Sequence, residues 1–260
     1  IEELRSDYPN VKIGQWFLDP LNKKGPDYER NKSRILDKIK QVDGTFMTTS
    51  PKALNFLSNY ENNFFIPNPA DKSFEILNNF NKSCNVDVFF ALSHGVHRGV
   101  LKRGKIDDRI NFVNKLMDIT PNVKFDIYGL NNIQPIWADH YFKTVANAKM
   151  GLNLSRGQAI KYYSSDRITQ IIGNGLVCLI DEKTEYRDFF NDNEMVFYKN
   201  IDDLSEKILT ISNDEKLRKS IAKKGKKKYM KYFNSNLVAQ YIIDKTLNMN
   251  TKSKYFWETN

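Results

Sequence analysis

Short apolar runs alternate with amphipathic segments between residues 86 and 198, and this alternation constrains the fold more than any other feature of the sequence. The apolar runs predict strands over 86–92, 123–128, 150–154, 176–180 and 194–198. Apolar residues spaced three and four positions apart predict the intervening helices, over 106–119, 138–148, 165–172 and 185–190. Because strands that alternate with helices form parallel βαβ units, and continuous apolar strands are covered on both faces, we predict a doubly wound α/β domain. Ligands of such sheets bind at the carboxyl ends of the strands.

The first 70 residues carry a shorter version of this pattern. Apolar runs predict strands over 11–18, 45–49 and 63–66, with a loop over 20–32 and a helix over 34–42. This is about half of a doubly wound domain. We therefore expect a partial N-terminal Rossmann-like domain over 1–83, a complete Rossmann-like domain over 84–233, and a helical tail over 234–260 that packs back on the first domain. Residues 70–84 are predicted to be the linker.

The chain is basic, with 40 Lys and Arg against 31 Asp and Glu and a net charge of +9. This balance favours anionic partners such as nucleotides or anionic lipid surfaces, although a merely solvated surface is the alternative. The lysine-rich run 223–228 is predicted to be an exposed helix face, and peripheral contact with an anionic membrane is a second interpretation. The sequence has no aromatic-interleaved basic motif, so we predict no nucleic-acid partner.

The two cysteines, Cys84 and Cys178, form neither a disulfide framework nor a zinc-binding pattern. We therefore expect a reducing, cytoplasmic environment, and no metal site. No apolar run approaches the roughly 18 residues of a membrane span, and no signal peptide is visible. Because the chain begins with Ile1 rather than Met, we expect a fragment or a processed form.

The first candidate anion site is the start of a helix predicted from Ser164 to Gly173. A helix start offers free backbone N–H groups and the positive end of the dipole. Ser164 and Ser165 add hydroxyl donors, while Lys161 and Arg167 add positive charge. Together these groups suit a diphosphate. Ordinary helix capping by Ser164 or Ser165 is the alternative.

The second candidate is the loop over 93–104, which follows the first strand of the second domain. Its three glycines, Gly95 among them, let the backbone approach a ligand closely. His94, Arg98 and Lys102 supply donors for phosphate. The loop matches neither a Walker motif nor G-x-G-x-x-G, and the alternative is a mobile basic loop without a ligand.

Three further strand ends carry candidate residues. Asp181 and Glu185 follow a strand and can hold ribose or sugar hydroxyls, although capping of the next helix by Thr184 is the alternative. Gly129 also ends a strand, and Trp137 beyond it either stacks on a base or belongs to the core. Asp19, just before a proline, is a candidate general base facing a cleft between the domains, or else a turn residue.

Read in order, these motifs resemble the GT-B glycosyltransferases, specifically the group-1 enzymes that include spore-maturation-type and surface-polysaccharide proteins. The resemblance covers 85–235 well and 10–70 loosely. It rests on the ordered segments Asn153-Leu154-Ser155-Arg156, Ser165-Asp166-Arg167, Gly173-Asn174-Gly175, Leu179-Ile180-Asp181, Phe189-Phe190, Val196-Phe197-Tyr198, Asp203-Leu204 and Ile221-Ala222-Lys223-Lys224-Gly225.

The resemblance implies a sugar transferred from a nucleotide-diphosphate-sugar donor to a glycan or lipid-linked acceptor, without metal or other cofactor. The donor would lie on the second domain and the acceptor on the first, with Arg98, Lys161 and Arg167 stabilising the leaving diphosphate. One departure concerns Gln170, since relatives carry Glu three positions after the arginine. The implied donor-binding set is His94, Gly95, Arg98, Lys102, Gly129, Lys161, Ser164, Ser165, Arg167, Gln170, Asp181 and Glu185.

Two other functions remain open from the sequence. A sugar-nucleotide epimerase of the same fold would use the same donor site. A non-catalytic module that binds an anionic polymer or a membrane surface would use the net charge and the run 223–228 instead.

Overall fold

Two parallel sheets organise the chain. The computed structural model describes residues 1–23, 25, 27–93, 107–251 and 255–258, together with the backbone of two short strands at 96–97 and 100–101. The first sheet has the order β1-β2-β3 and the second the order β10-β9-β8-β4-β7, while β5 and β6 form a small antiparallel pair. The strands are β1 (Gly14–Phe17), β2 (Gly44–Met47), β3 (Asn63–Phe65), β4 (Val86–Ala91), β5 (Val96–His97), β6 (Val100–Leu101), β7 (Phe125–Tyr128), β8 (Ala148–Asn153), β9 (Val177–Asp181) and β10 (Val196–Tyr198).

Eight α-helices connect or flank these strands within the described residues. They are α1 (Glu2–Asp7), α2 (Tyr28–Ile39), α3 (Asp108–Ile119), α4 (Ala138–Val145), α5 (Arg167–Ile172), α6 (Ile201–Asn213), α7 (Glu215–Tyr232) and α8 (Ser235–Thr246). Asn200 caps α6 by accepting from the N–H groups of Asp202 and Asp203, and Asp214 caps α7 by accepting from that of Leu217.

The second sheet is buried on both faces, as its apolar strands predict. Along β4, Val88 and Phe90 join one core cluster while Phe89 joins the other. Along β9, Leu179 and Cys178 separate in the same way. Successive side chains of a strand point to opposite faces, so a strand without polar positions needs cover on both sides. The predicted doubly wound α/β architecture is confirmed.

Strand β4 marks the point where the direction of winding reverses. The chain passes from β4 to β7 on one side, then returns to β8 on the other side of β4. Both neighbours pair with β4 in parallel. In open α/β sheets, a crevice forms outside the carboxyl ends of the strands at such a reversal. The topology therefore predicts a ligand crevice at the carboxyl ends of β4 and β8.

Three element predictions are wrong in detail. The helix predicted over 185–190 is replaced by two short 3-10 turns, because Glu185 between them adopts a left-handed conformation with φ of 56°. The helix predicted from Ser164 begins only at Arg167. The helix predicted over 34–42 begins earlier, at Tyr28, and shortens the predicted loop.

The segment predicted as a linker is held firmly to α7. Arg218 is buried, and its guanidinium donates to the carbonyl oxygens of Asn79 at 3.0 Å and Lys82 at 2.9 Å. The side chain of Asn79 in turn donates to the carbonyls of Val145 and Ala148. This segment is therefore part of the packed structure.

The C-terminal segment packs against the first sheet. Tyr241 of α8 meets the rings of Phe46 and Phe64 edge to face, with centroids 6.3 and 6.1 Å apart. Trp257 is buried against Tyr241 and Phe233. In the part of the chain that the structure describes, no helix combines the length and apolar character needed to cross a bilayer.

Candidate functional site

Arg167 lies at the reversal point of the second sheet. Its guanidinium donates to the carbonyl oxygen of Ala91, at the end of β4, at 3.2 Å and to that of Leu154, just after β8, at 3.3 Å. The hydroxyl of Ser165 accepts a third bond at 2.9 Å, and the guanidinium stacks over the ring of Phe90 at 5.2 Å. The first turn of α5 therefore places a fixed cation across the crevice between two adjacent strands.

The charge of Arg167 has no ion-pair partner among the residues that the structure describes. Among the described residues, no carboxylate forms an ion pair with it, whereas nearby Arg109 is held bidentately by Asp107 at 2.7 and 2.9 Å. Burial, and the charge of Arg109, lower the pKa of Arg167. A desolvated cation without a partner is costly, and an anion that accepts from its free donors offsets that cost. An anion bound in the crevice would therefore be stabilised by Arg167.

A cavity of about 410 Å³ opens beside Arg167. Part of its wall is aromatic, with Tyr141 and Trp137 from the start of α4, and its polar side carries Gln170 together with Asp166. The hydroxyl of Tyr141 donates to the amide oxygen of Gln170 at 2.5 Å, and burial raises the pKa of Tyr141. Trp137 is 52% exposed and therefore belongs to the cavity wall rather than to the core. Aromatic faces beside polar atoms suit a planar base joined to a hydroxyl-bearing ring.

A second cavity, of about 560 Å³, lies on the other side of the end of β8. Asp181, Arg109 and Tyr198 contribute to its wall. The carboxylate of Asp181 accepts from the backbone N–H of Lys183 at 2.9 Å, and burial raises its pKa. Asp181 thus stands at a strand end as predicted, across β8 from the Gln170 cavity.

Lys161 and Glu185 do not lie with Arg167. They form an ion pair with each other, and Lys161 also reaches Asp188 at 3.3 Å. The hydrogen bond from Lys161 to Glu185 raises the pKa of the lysine. Lys161 instead borders a separate cavity of about 270 Å³ between β3 and the C-terminal segment. The left-handed turn at Glu185 brings the two charges together, which the helix expected there would not have done.

The two serines hold the site together rather than facing it as free donors. Ser164 is fully buried, and its hydroxyl accepts from the amide of Asn153 at 2.8 Å and donates to the carbonyl of Ser165. Ser165 orients Arg167. Because α5 begins at Arg167, neither serine caps it, and the residue at the cap, Asp166, makes no side-chain capping bond. The alternative that Ser164 or Ser165 caps this helix is therefore wrong, while their role as donors to a ligand stays a prediction.

The remaining predicted residues are dispersed. Gly129 has a φ of 79°, and a Cβ there would stand 1.9 Å from the carbonyl oxygen of Leu92, so it allows a close backbone approach. Asp19 is exposed beyond β1 and lies 3.7 Å from Arg34. His94, Gly95, Arg98 and Lys102 lie outside the described residues.

Sequence reasoning missed Tyr141 and Arg109. Both lie on amphipathic helices, and nothing in their spacing distinguishes them from other polar or aromatic positions. Over the described ranges, no group of three or more His, Cys, Asp or Glu side chains is arranged to hold a metal ion.

The two parallel Rossmann-like sheets match the GT-B fold of solved glycosyltransferases. Residues 109–244, more than half of the chain, match the family model described as glycosyl transferase-like. The chain belongs to this family. No curated protein matches it by sequence.

Solved structures agree on the fold. TarM of S. aureus is 16% identical over 92% of this chain, with a TM-score of 0.65, and the match spans 51% of TarM. Anabaena HepE, solved with UDP and glucose, is 11% identical with a TM-score of 0.66, covering 95% of this chain and 74% of HepE. An alpha-glucosyltransferase bound to UDP and a 13-mer DNA is 12% identical with a TM-score of 0.65, covering 95% and 75% of the two chains. The chain thus spans about half the length of TarM.

Proposed function

We propose that this chain transfers a sugar from a nucleotide-diphosphate-sugar donor to a glycan or lipid-linked acceptor. The observation that carries the proposal is Arg167, which has no counterion among the described residues. The carbonyls of Ala91 and Leu154 fix it at the mouth of a cavity that is partly lined by aromatic side chains. A diphosphate supplies the missing anion, and the cavity beside it accommodates the nucleoside. Membership of the glycosyl transferase-like family supports the same reaction class.

In this proposal the second sheet holds the donor and the first sheet carries the acceptor. Charge that develops on the leaving diphosphate is stabilised by Arg167, so that the reaction needs no metal ion. Gln170 and Asp181 are proposed to bind donor hydroxyls, one on each side of β8. Asp19 is the proposed general base on the acceptor side. We propose that the protein acts in the cytoplasm. We propose no nucleic-acid acceptor, because the basic residues of this chain are not interleaved with aromatic ones.

Isothermal titration calorimetry with UDP, GDP and the matching monophosphates tests the donor site. We expect one diphosphate to bind at least about tenfold more tightly than its monophosphate, because the second phosphate completes the charge of Arg167. The absence of binding to any nucleoside diphosphate would refute the proposal.

Incubation with labelled UDP-sugars and no acceptor separates a transferase from an epimerase, since an isomerised sugar would identify an epimerase.

A further inference from the structure

A groove of about 820 Å³ lies between α7 and residues 72–80, away from the ends of the second sheet. We call it the α7 groove. Its floor is apolar and is formed by Ile76, Phe80 and Met230. Ile76 is 62% exposed, and Phe74, two positions earlier in the same segment, is 65% exposed. Exposed apolar side chains that cluster in this way mark an interaction surface rather than isolated surface residues.

The rim of the α7 groove is positively charged. Lys223, Lys227 and Lys231 follow one another at four-residue spacing along α7, and Lys72 faces them from the opposite wall. Within the described part of the chain, none of these four lysines forms an ion pair with a carboxylate. The one acid on the wall, Glu75, is buried and its carboxylate accepts from the backbone N–H of Asp71 at 2.6 Å.

Two other lysines of the same run, Lys226 and Lys228, have internal partners. Lys226 donates to the carbonyls of Glu75 and Leu77, and Lys228 pairs with Glu194 at 2.8 Å. Gly225 packs so closely against Glu194 that a Cβ there would stand 2.2 Å from the carbonyl oxygen of Glu194. The fold thus divides the run into residues with internal partners, of which Lys226 holds segment 72–80 in place, and residues that remain available to a partner.

We propose that the α7 groove docks the protein on an anionic lipid membrane. The lysines of the rim meet lipid phosphates, while Ile76 and Phe74 enter the boundary between headgroups and acyl chains. An anionic membrane surface is complementary to both features of the groove, because it carries negative charge for the lysines and an apolar layer directly beneath for the exposed apolar side chains. Phe74 also borders the Arg167 cavity, so docking here brings that cavity close to the bilayer. The proposal does not depend on the transfer reaction, since it concerns binding alone.

Co-sedimentation with vesicles tests the proposal, using phosphatidylcholine alone and an equal mixture with phosphatidylglycerol. We expect binding to the mixture only. The double variant Lys223→Glu/Lys227→Glu should reduce the partition coefficient at least about tenfold, because each basic residue near an anionic surface contributes to binding. Ile76→Ser should weaken binding at low salt and abolish the part that persists at high salt. The matched control is Lys115→Glu/Lys124→Glu, which reverses two exposed lysines elsewhere on the same domain and should bind more strongly than the α7 variant.

Equal binding to both vesicle types would overturn the proposal, as would an equal loss in the α7 and control variants. Binding to polyglutamate without binding to vesicles would also overturn it and would indicate an acidic protein partner. Circular dichroism and UDP titration of each variant establish that α7 and the donor site are intact. A failure of vesicle binding with UDP binding preserved leaves the proposed transferase function standing.

Discussion

At the scale of single residues, the site depends on how each charge is neutralised. Lys161 and Glu185 neutralise each other, and Arg109 is neutralised by Asp107, so only Arg167 among these cations retains an unmet charge. Its partners are two carbonyls and a hydroxyl, which orient the guanidinium without cancelling its charge. Orientation without neutralisation is what an anion site requires.

Arg167→Ala should raise the Kd for the preferred nucleoside diphosphate at least about 30-fold, because truncating one member of a desolvated charge pair costs about 2 kcal/mol or more. Calorimetry measures the change. Arg187→Ala is the control, since that guanidinium is paired with Asp192 at the surface and should leave affinity unchanged. If wild type and Arg167→Ala bound the nucleoside diphosphate with equal affinity, the role of Arg167 would be structural only.

Gln170→Glu should keep the bond from Tyr141, because a carboxylate accepts as an amide oxygen does. We expect the Kd for the nucleoside diphosphate to fall about three- to tenfold, since a charged acceptor binds a ribose hydroxyl more strongly. Tyr141→Phe, alone and combined with Gln170→Glu, isolates the coupling of the pair. Weaker binding by Gln170→Glu would mean that the amide N–H of Gln170 donates to the ligand.

At the scale of elements, the site exists because strand ends approach each other closely. The turn after β7 lies against the residue that follows β4, with no room for a side chain at Gly129. In the first sheet, Asp43 joins α1 to the start of β1 by accepting from Arg5, Lys12 and the backbone N–H of Ile13. Each contact involves only a few atoms, but each determines where a strand begins or ends.

Gly129→Ala should lower the free energy of unfolding by about 2 kcal/mol or more, because a left-handed φ and a clash with the carbonyl of Leu92 both oppose a Cβ. Urea denaturation measures the loss. Asn132→Gly, in the same turn and with a φ of 62°, should be tolerated. Equal stability of Gly129→Ala and wild type would mean that the turn rearranges easily.

Asp43→Asn should make stability less dependent on acid pH. Burial alone raises the pKa of Asp43. The hydrogen bonds from Ile13, Arg5 and Lys12 outweigh this effect and lower that pKa to about 2. A carboxyl with a depressed pKa stabilises the fold above its unfolded pKa near 4, and this contribution is lost as pH falls from there towards 2. At neutral pH we expect a loss of about 1–2 kcal/mol.

Thermal unfolding of Asp43→Asn between pH 2 and 7 gives the comparison. The difference from wild type should be largest at neutral pH and should shrink below about pH 4. Asp37→Asn, at an exposed position of α2, is the control. A difference that stays constant with pH would show that the carboxylate charge of Asp43 is not what stabilises α1.

At the scale of the whole molecule, buried side chains from both sheets share one hydrophobic cluster, and hydrogen bonds reinforce the connection. Asn68 donates to the carbonyl of Ser164 and accepts from the hydroxyl of Tyr229, which connects the end of the first sheet to both α5 and α7. The tail adds Trp257, buried between Tyr241 and Phe233. These contacts couple the first sheet to the second.

Trp257→Ala should lower the free energy of unfolding by about 3–5 kcal/mol, because it leaves a cavity where α8 meets both parts of the chain. Differential scanning calorimetry should also show the single transition broaden or split as the first sheet loses its support. Trp137→Ala is the matched control, since that ring is 52% exposed and should affect stability little. Equal effects of the two substitutions would contradict the coupling through the tail.

The sequence by itself determined the second sheet. Its strands carry apolar residues at positions that point to both faces, and such strands need cover on both sides, so the pattern along the chain specified a doubly wound domain. It also located Arg167, Gln170 and Asp181 near strand ends, because the order of strands and helices is a local property of the chain.

Only the tertiary structure decided which of these residues meet. The reversal at β4 placed Arg167 between two strands that are far apart in sequence, and a single left-handed residue, Glu185, diverted Lys161 from that site. Tyr141 and Arg109 entered the cavities through helix packing. Contacts between distant segments depend on the order in which the strands are wound and on the backbone conformation of single residues. Local hydrophobic periodicity predicts neither of these.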